Sequence, residues 1–385
     1  MLFATPHATA ARVSARCTRF IAPALTLLTI ALPLASRAAD KPFLPPPAPT
    51  VSTAPGNGDV NPYGTAFVPY LSSDRDDRSD QDDRLPNSIL HRGDLLVSNF
   101  NNVQNLQGTG TTIVRIDKSG QQSLFYQSAT NYAGLSAALG VLNNGIVLVG
   151  NLQTADGTPA TAQPGALQII SPSGTLLGVI ADPALINGPW GLAVSEHENH
   201  VDVFVSNVLN GTITRLTFRR IGEWGIQLDH STVIATGLNH RSDPAALELG
   251  PSGLLYDPAN DILLFASSFD NAIYAIQNAS TVGADQATPI LFVQDNVHLH
   301  GPLDLAFAHN GHLLVANSDG SNVDPNQPSE IVEYAPDSTF VTQFSVDPNN
   351  GGAFGIATQQ IGAFTRFSAV DDNTVTVTTY TKLDR

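Results

Sequence analysis

The chain has 385 residues, 42% of them hydrophobic, with 31 glycines, 26 prolines, a single cysteine and a formal charge of −16. Its length and apolar content suffice for a large core, while so acidic a field repels phosphate backbones and sets nucleic acid aside as a partner. One cysteine excludes a disulfide framework.

Residues 1–38 have the pattern of an export signal. Arg12, Arg16 and Arg19 precede the apolar run of residues 20–34, and Ser36-Arg37-Ala38 offers a small-x-small cleavage site. A spanning helix needs roughly 20 apolar residues. This run is shorter and contains Pro23 and Pro33. Cleavage is therefore expected, giving a periplasmic or secreted protein with no membrane contact. Cys17 would leave with the signal. So would four arginines and no acid, leaving 14 of the 18 basic residues against 34 acidic ones.

Residues 39–58 read as a Pro-rich linker, with a stretch near Val51 able to supply a strand. From residue 59 onward one unit recurs. Six segments open alike, at Pro62-Tyr63-Gly64, Ser136-Ala137-Ala138, Pro189-Trp190-Gly191, Pro251-Ser252-Gly253, Pro302-Leu303-Asp304 and Ala353-Phe354-Gly355. Each leads to a second apolar strand, among them DLLVSN, IVLVGN, DVFVSN and HLLVAN, and then to a third. Asn144-Gly145 and Asn310-Gly311 fall between hydrophobic runs at equivalent places, a hairpin signal that relies on residues tolerating positive φ. Five units have a fourth strand and the sixth does not, because the chain stops at Arg385. The stretch near Val51 is expected to fill that edge, since an unpaired edge strand is a liability. The expected fold is all-β: a six-bladed β-propeller of four-stranded antiparallel blades over residues 59–385, its ring closed by the N-terminal strand. A β-sandwich would not need one unit six times. A monomer is expected. The acidic insertion of residues 72–84 lacks the ordered ligand spacing and turn glycine of a calcium loop and reads as a solvated loop.

The P-x-G-L-A opening, the D-[LIV]-x-[VF]-[SA]-[NS] second strand and the N-x-I hairpin resemble secreted NHL-repeat proteins and the SMP-30/gluconolactonase-like propellers. The resemblance spans roughly residues 61–380 and implies the architecture. Gluconolactonase-like enzymes hold a divalent metal on the axis with a Glu, an Asn and an Asp. Here the matching slots are Tyr63-Gly64, Trp190-Gly191 and Ser252-Gly253, and no Glu stands at a blade opening.

In such a ring, the loops entering first strands and those joining second to third strands share the mouth of the axial channel. His298 and His300 lie two apart, so an extended backbone aims both imidazoles to one side. They are the expected catalytic pair, one as general base. With His240 they are the expected ligands of one divalent metal, zinc by ligand type or calcium through Asp319 and Asp324. Asn99, Asn207, Asn317, Asp319, Trp190 and Asp243 are the expected contacts of a small polar ligand. The asparagines have a second reading, in which they cap their own turns, and the histidines have one as ordinary loop residues. The long loops of residues 100–111, 152–164 and 318–329 break the repeat and carry more functional weight than it does. His197 and His200 fall on the opposite face. Two functions remain: a propeller binding a small polar molecule or a partner protein at the channel mouth, or a metal-dependent hydrolase or lyase of the same shape.

Overall fold

A computed structural model describes residues 42–44, 48, 50–70, 85, 87–222, 225–318 and 320–384. The export signal and the acidic insertion lie outside the described residues. Strand β1 (Thr50–Ser52) comes first in the chain and last in the ring. Blade 1 is β2 (Val60–Phe67), β3 (Leu95–Asn101), β4 (Thr112–Ile116) and β5 (Gln122–Gln127). Blade 2 is β6 (Leu135–Val141), β7 (Val147–Asn151), β8 (Ala166–Ile170) and β9 (Leu176–Ile180). Blade 3 is β10 (Pro189–Glu196), β11 (His200–Asn207), β12 (Thr212–Ile221) and β13 (Gly225–Ala235). A two-stranded hairpin follows, β14 (Arg241–Asp243) and β15 (Leu247–Leu249), where the sequence reads only as a connector.

Blade 4 comprises β16 (Pro251–Asp257), β17 (Ile262–Ser267), β18 (Ala272–Gln277) and β19 (Ile290–Gln294). Blade 5 comprises β20 (Pro302–Phe307), β21 (Leu313–Asn317), β22 (Glu330–Tyr334) and β23 (Phe340–Ser345). Blade 6 has β24 (Ala353–Ile361), β25 (Phe364–Asp371) and β26 (Thr376–Leu383), and β1 pairs antiparallel with β26, Val51 opposite Val377. The inner strands pack in a closed circle: β2 against β6, then β10, β16, β20, β24 and back to β2. The six-bladed ring and its N-terminal closure are therefore as the repeat predicts.

The second strands are apolar on both faces along their middles because alternate residues serve two seams. Val201, Val203 and Val205 face blade 2, whereas Phe204 faces blade 4. Six such seams, one between each pair of neighbouring blades, hold the core, and the seam between blades 5 and 6 also takes in Phe43 from ahead of the ring. The recurring opening has a structural cause. All six first strands carry a register shift at their start, between Pro189 and Gly191 in blade 3 and between Ala353 and Ile356 in blade 6, for example. Such bulges bend the strand. At this bend neighbouring backbones nearly touch: a Cβ on Gly191 would lie 2.2 Å from the carbonyl oxygen of Ser252. The Asn-Gly turns behave more simply than expected, since Gly145 and Gly311 take positive φ while their asparagines do not.

Hydroxyls tie blade to blade. Ser98 donates to the carbonyl of Ser136, Ser136 to Pro189, Ser206 to Ser252 and Ser252 to Pro302. Blade 5 uses Asp304 in the glycine slot instead, and its carboxylate accepts the amides of Leu305 and, from blade 6, Ile356. Burial pushes the Asp304 carboxyl up to about 7.

Candidate functional site

The mouth of the channel is floored by apolar rings and roofed by loops. Tyr63 sits 4.7 Å from Phe354, 5.0 Å from Phe100 and 5.4 Å from Trp190 between ring centroids. These rings pack with Leu152, Val208, Leu303 and Leu247. Leu247 comes from the hairpin and has a φ of 63°. The amide of Glu248 bonds the carbonyl of Ala246 at 2.8 Å, closing a three-residue turn around it. A leucine with positive φ is strained. The apolar floor holds it there, and so hangs the hairpin over the mouth. Gln107 of blade 1 reaches across to donate to the Ala245 carbonyl at 3.0 Å.

Between this hairpin and the loops of blades 1, 4, 5 and 6 lies a cavity of about 270 Å³. That is near the lower end of ligand-pocket volumes, roughly 300–1,000 Å³. The position following the second-strand residue that pairs with the start of the first strand, Asn99 in blade 1 and Asp371 in blade 6, explains the cavity's polarity. In blades 1 to 3 it is Phe100, Leu152 or Val208, which join the floor. In blades 4 to 6 it is Ser268, Ser318 or Asp372, and all three line the cavity.

Two carboxyl groups and a set of amides give the cavity its chemistry. Burial, reinforced by the neighbouring Asp371 charge, pushes Asp372 up to about 7. No described residue hydrogen-bonds its side chain. Burial likewise pushes Glu248 above its ordinary value, although Ser242 donates to it at 2.9 Å. Burial and the Asp372 charge raise the Tyr63 hydroxyl. Asn61 and Asn101 line the cavity, and their buried Oδ1 atoms have no hydrogen-bond partner among the described residues. Leaving a buried acceptor unpaired costs about 1–3 kcal/mol, so donors from a bound molecule would be favoured here.

Of the loops that break the repeat, those of residues 100–111 and 318–329 do line this cavity, through Asn101, Asn105, Gln107, Ser318 and Gly320, but none of the described individual candidates does. Asn99 donates to the Thr53 carbonyl and Thr112 Oγ1, both at 3.2 Å. Asn207 donates to Leu185, Thr212 and Thr214, and Asn317 to the His298 carbonyl and Glu330. These fully buried amides pin the loops entering a blade, or the residue after β1 in the case of Asn99, to the end of its second strand, a structural role, though one played on distant backbone and not on their own turns. Trp190 is floor, beneath the cavity. Asp243 accepts the amides of Ala245 and Ala246 and pairs with Arg241 at 3.1 Å, fixing the hairpin turn. Asp319 lies outside the described residues.

The histidines also separate. His240 is exposed, with Nδ1 3.0 Å from its neighbouring Leu238 carbonyl. His298 stacks on Phe340 at 3.6 Å and bonds Asp295 at 2.6 Å. Against the upward pull of burial, the hydrogen bond from His298 and the Val297 amide hold Asp295 below its ordinary value. His300 alone joins a group fit for a metal, with Asp324 and Glu330, whose ligand atoms lie within 4.8 Å of one another. Its Nε2 is 3.8 Å from Asp324 Oδ2. Asp324 belongs to the loop that sends Ser318 and Gly320 into the cavity, while His300 precedes β20 and Glu330 opens β22.

Sequence reading missed Asn61, Glu248 and Asp372. One signal was present. Blades 1, 2, 3 and 5 end the second strand in asparagine, blade 4 in serine and blade 6 in Asp371-Asp372. The repeat breaks where the cavity is acidic.

No family model and no curated protein matches the chain by sequence. Solved structures do match by shape. A gluconolactonase from Xanthomonas campestris, 10% identical, superposes with a TM-score of 0.50 over 88% of this chain and 99% of its own. A protein of unknown function from Bacteroides thetaiotaomicron, also 10% identical, gives 0.53 over 86% and 76%. A calcium-binding regucalcin from Agrobacterium tumefaciens, 11% identical, gives 0.44 over 83% and 85%. At these identities the likeness is one of fold.

Proposed function

We propose that this chain is an exported propeller that binds a small polar molecule in its mouth cavity. The observation that carries the reading is the set of polar residues lining one half-open cavity: Asn61 and Asn101, whose Oδ1 atoms have no partner among the described residues, and Asp372. Such a wall favours a compact molecule rich in hydroxyl or ammonium donors, with one apolar face for Tyr63, Phe354 and Leu303. Below pH 7 the Asp372 carboxyl is largely protonated and can donate as well as accept. The test is a thermal-shift screen of polyols, sugars, hydroxy acids and small amines. The proposal expects a hit whose affinity falls at least about tenfold, or 1.4 kcal/mol, in Asn101→Leu and Asp372→Leu. Hits unaffected by both substitutions would refute it.

A second reading, metal-assisted hydrolysis or lysis, is favoured by the His300, Asp324 and Glu330 group beside the cavity. Imidazole with two carboxylates suits zinc, which would supply a Lewis acid. Metal retained by the purified protein and lost in His300→Ala would support it.

A further inference from the structure

On the face opposite the cavity, the turn between β10 and β11 carries a second cluster. The hairpin register places Ser195 opposite Asp202, and the residues beyond it set His197 against His200. Alternation along each strand then puts Ser195, His197, His200 and Asp202 on one face. The two imidazoles stack at 4.3 Å with 16° between planes. Both Nε2 atoms approach a single oxygen, Asp202 Oδ2, at 3.8 and 3.6 Å, and the His197 Nε2 also hydrogen-bonds Ser195 Oγ at 3.2 Å, a contact that metal binding would replace. Neither separation from Oδ2 is a hydrogen bond. The other oxygen, Oδ1, accepts Thr217 Oγ1 at 2.5 Å, while no described residue donates a hydrogen bond to Oδ2. Asp202 is 4% exposed, so this is a buried carboxylate oxygen held towards two imidazole nitrogens.

We propose that His197, His200 and Asp202 bind a divalent first-row transition ion, zinc foremost, independently of the mouth cavity. Zinc takes imidazole nitrogen and carboxylate oxygen at about 2.0–2.2 Å, so tetrahedral donors stand about 3.3 Å apart. The two nitrogen–oxygen spacings exceed this by a few tenths of an ångström and all three donor atoms lie within 4.8 Å of one another, within the reach of two partly exposed side chains. Two nitrogens to one oxygen favour zinc, nickel or copper over calcium, which prefers oxygen. Thr217 orients the carboxylate from behind. Nearby cations are committed elsewhere: Arg220 to Glu196 and the His197 carbonyl, and Arg219 to Gln227. With three protein donors, a fourth position stays open to water.

The test is zinc titration by calorimetry on the full chain, in a His300→Ala background that removes the mouth group. One zinc per chain is expected. His197→Ala and His200→Ala should each weaken it at least about tenfold, and Thr217→Val by about tenfold through the carboxylate alone. The histidine side chains are 42% and 44% exposed in a surface turn, so these variants should fold, which circular dichroism checks. Bound copper should show two nitrogen ligands by electron paramagnetic resonance. No binding tighter than about 1 mM, or binding indifferent to both histidine substitutions, would overturn the proposal. Loss of ligand binding at the mouth would leave it untouched.

Discussion

Replacing Leu247 by alanine and by glycine separates two forces that act on one residue. Leu247 is fully buried in the aromatic floor yet has a φ of 63°. Truncating a buried leucine to alanine costs about 2–5 kcal/mol through lost burial and the cavity left behind. At an ordinary site glycine would cost a further 0.5–1 kcal/mol or so, because it gives up more backbone freedom on folding. Here alanine keeps a left-handed strain of about 1–2 kcal/mol that glycine does not feel. The order should therefore invert, with Leu247→Gly about 0.5–1 kcal/mol more stable than Leu247→Ala. Urea unfolding at constant m reads the difference directly. If alanine proved the more stable by the usual margin, the strained turn, and with it the means of hanging β14 and β15 over the mouth, would be refuted.

Two further outcomes follow from the same geometry. Asp372 and Asp304 both titrate near 7 in the folded chain, raised by burial. Unfolded, they ionise first as pH rises, so stability should fall between pH 4 and 7 and level off above. The full shift of about 3 units corresponds to about 4 kcal/mol for each group, and water in the channel should reduce it to about 2. Asp372→Asn should flatten its share of that slope in urea titrations across the range, and an unchanged slope would contradict the burial argument. Ring closure is tested by Val51→Asp, which sets a charge in the seam between blades 6 and 1 where Val51 packs. A loss of about 1–3 kcal/mol is expected, with faster proteolysis near residue 50, and wild-type behaviour would deny β1 its role.

The fold was legible because a propeller repeats its physics. Every blade has a bulged first strand, with glycine at the bend in blades 1, 3, 4 and 6, and an apolar second strand facing two seams, so six near-copies stand in the sequence. Even the closing strand followed, from counting fourth strands. The site was less legible for the same reason. Asn99, Asn207 and Asn317 recur because each blade must pin a neighbouring segment, so their recurrence marked structure. The cavity depends on departures from the repeat, such as Asp372 where other blades have Phe100 or Leu152. It also depends on an inserted hairpin whose Glu248 arrives only through a strained turn. His298 and His300 lie two apart in sequence, yet one stacks on Phe340 while the other turns to Asp324. Loop backbone does not keep the alternation of a strand.

The most direct measurement is a crystallographic soak of the protein with the polyols, hydroxy acids and amines that raise its melting temperature. Density for the molecule should lie between Asn61, Asn101 and Asp372, with donors on the two amide oxygens and its apolar face on Tyr63. Density for the same compounds seated anywhere else on the ring, with the mouth holding only solvent, would contradict a binding role for the cavity.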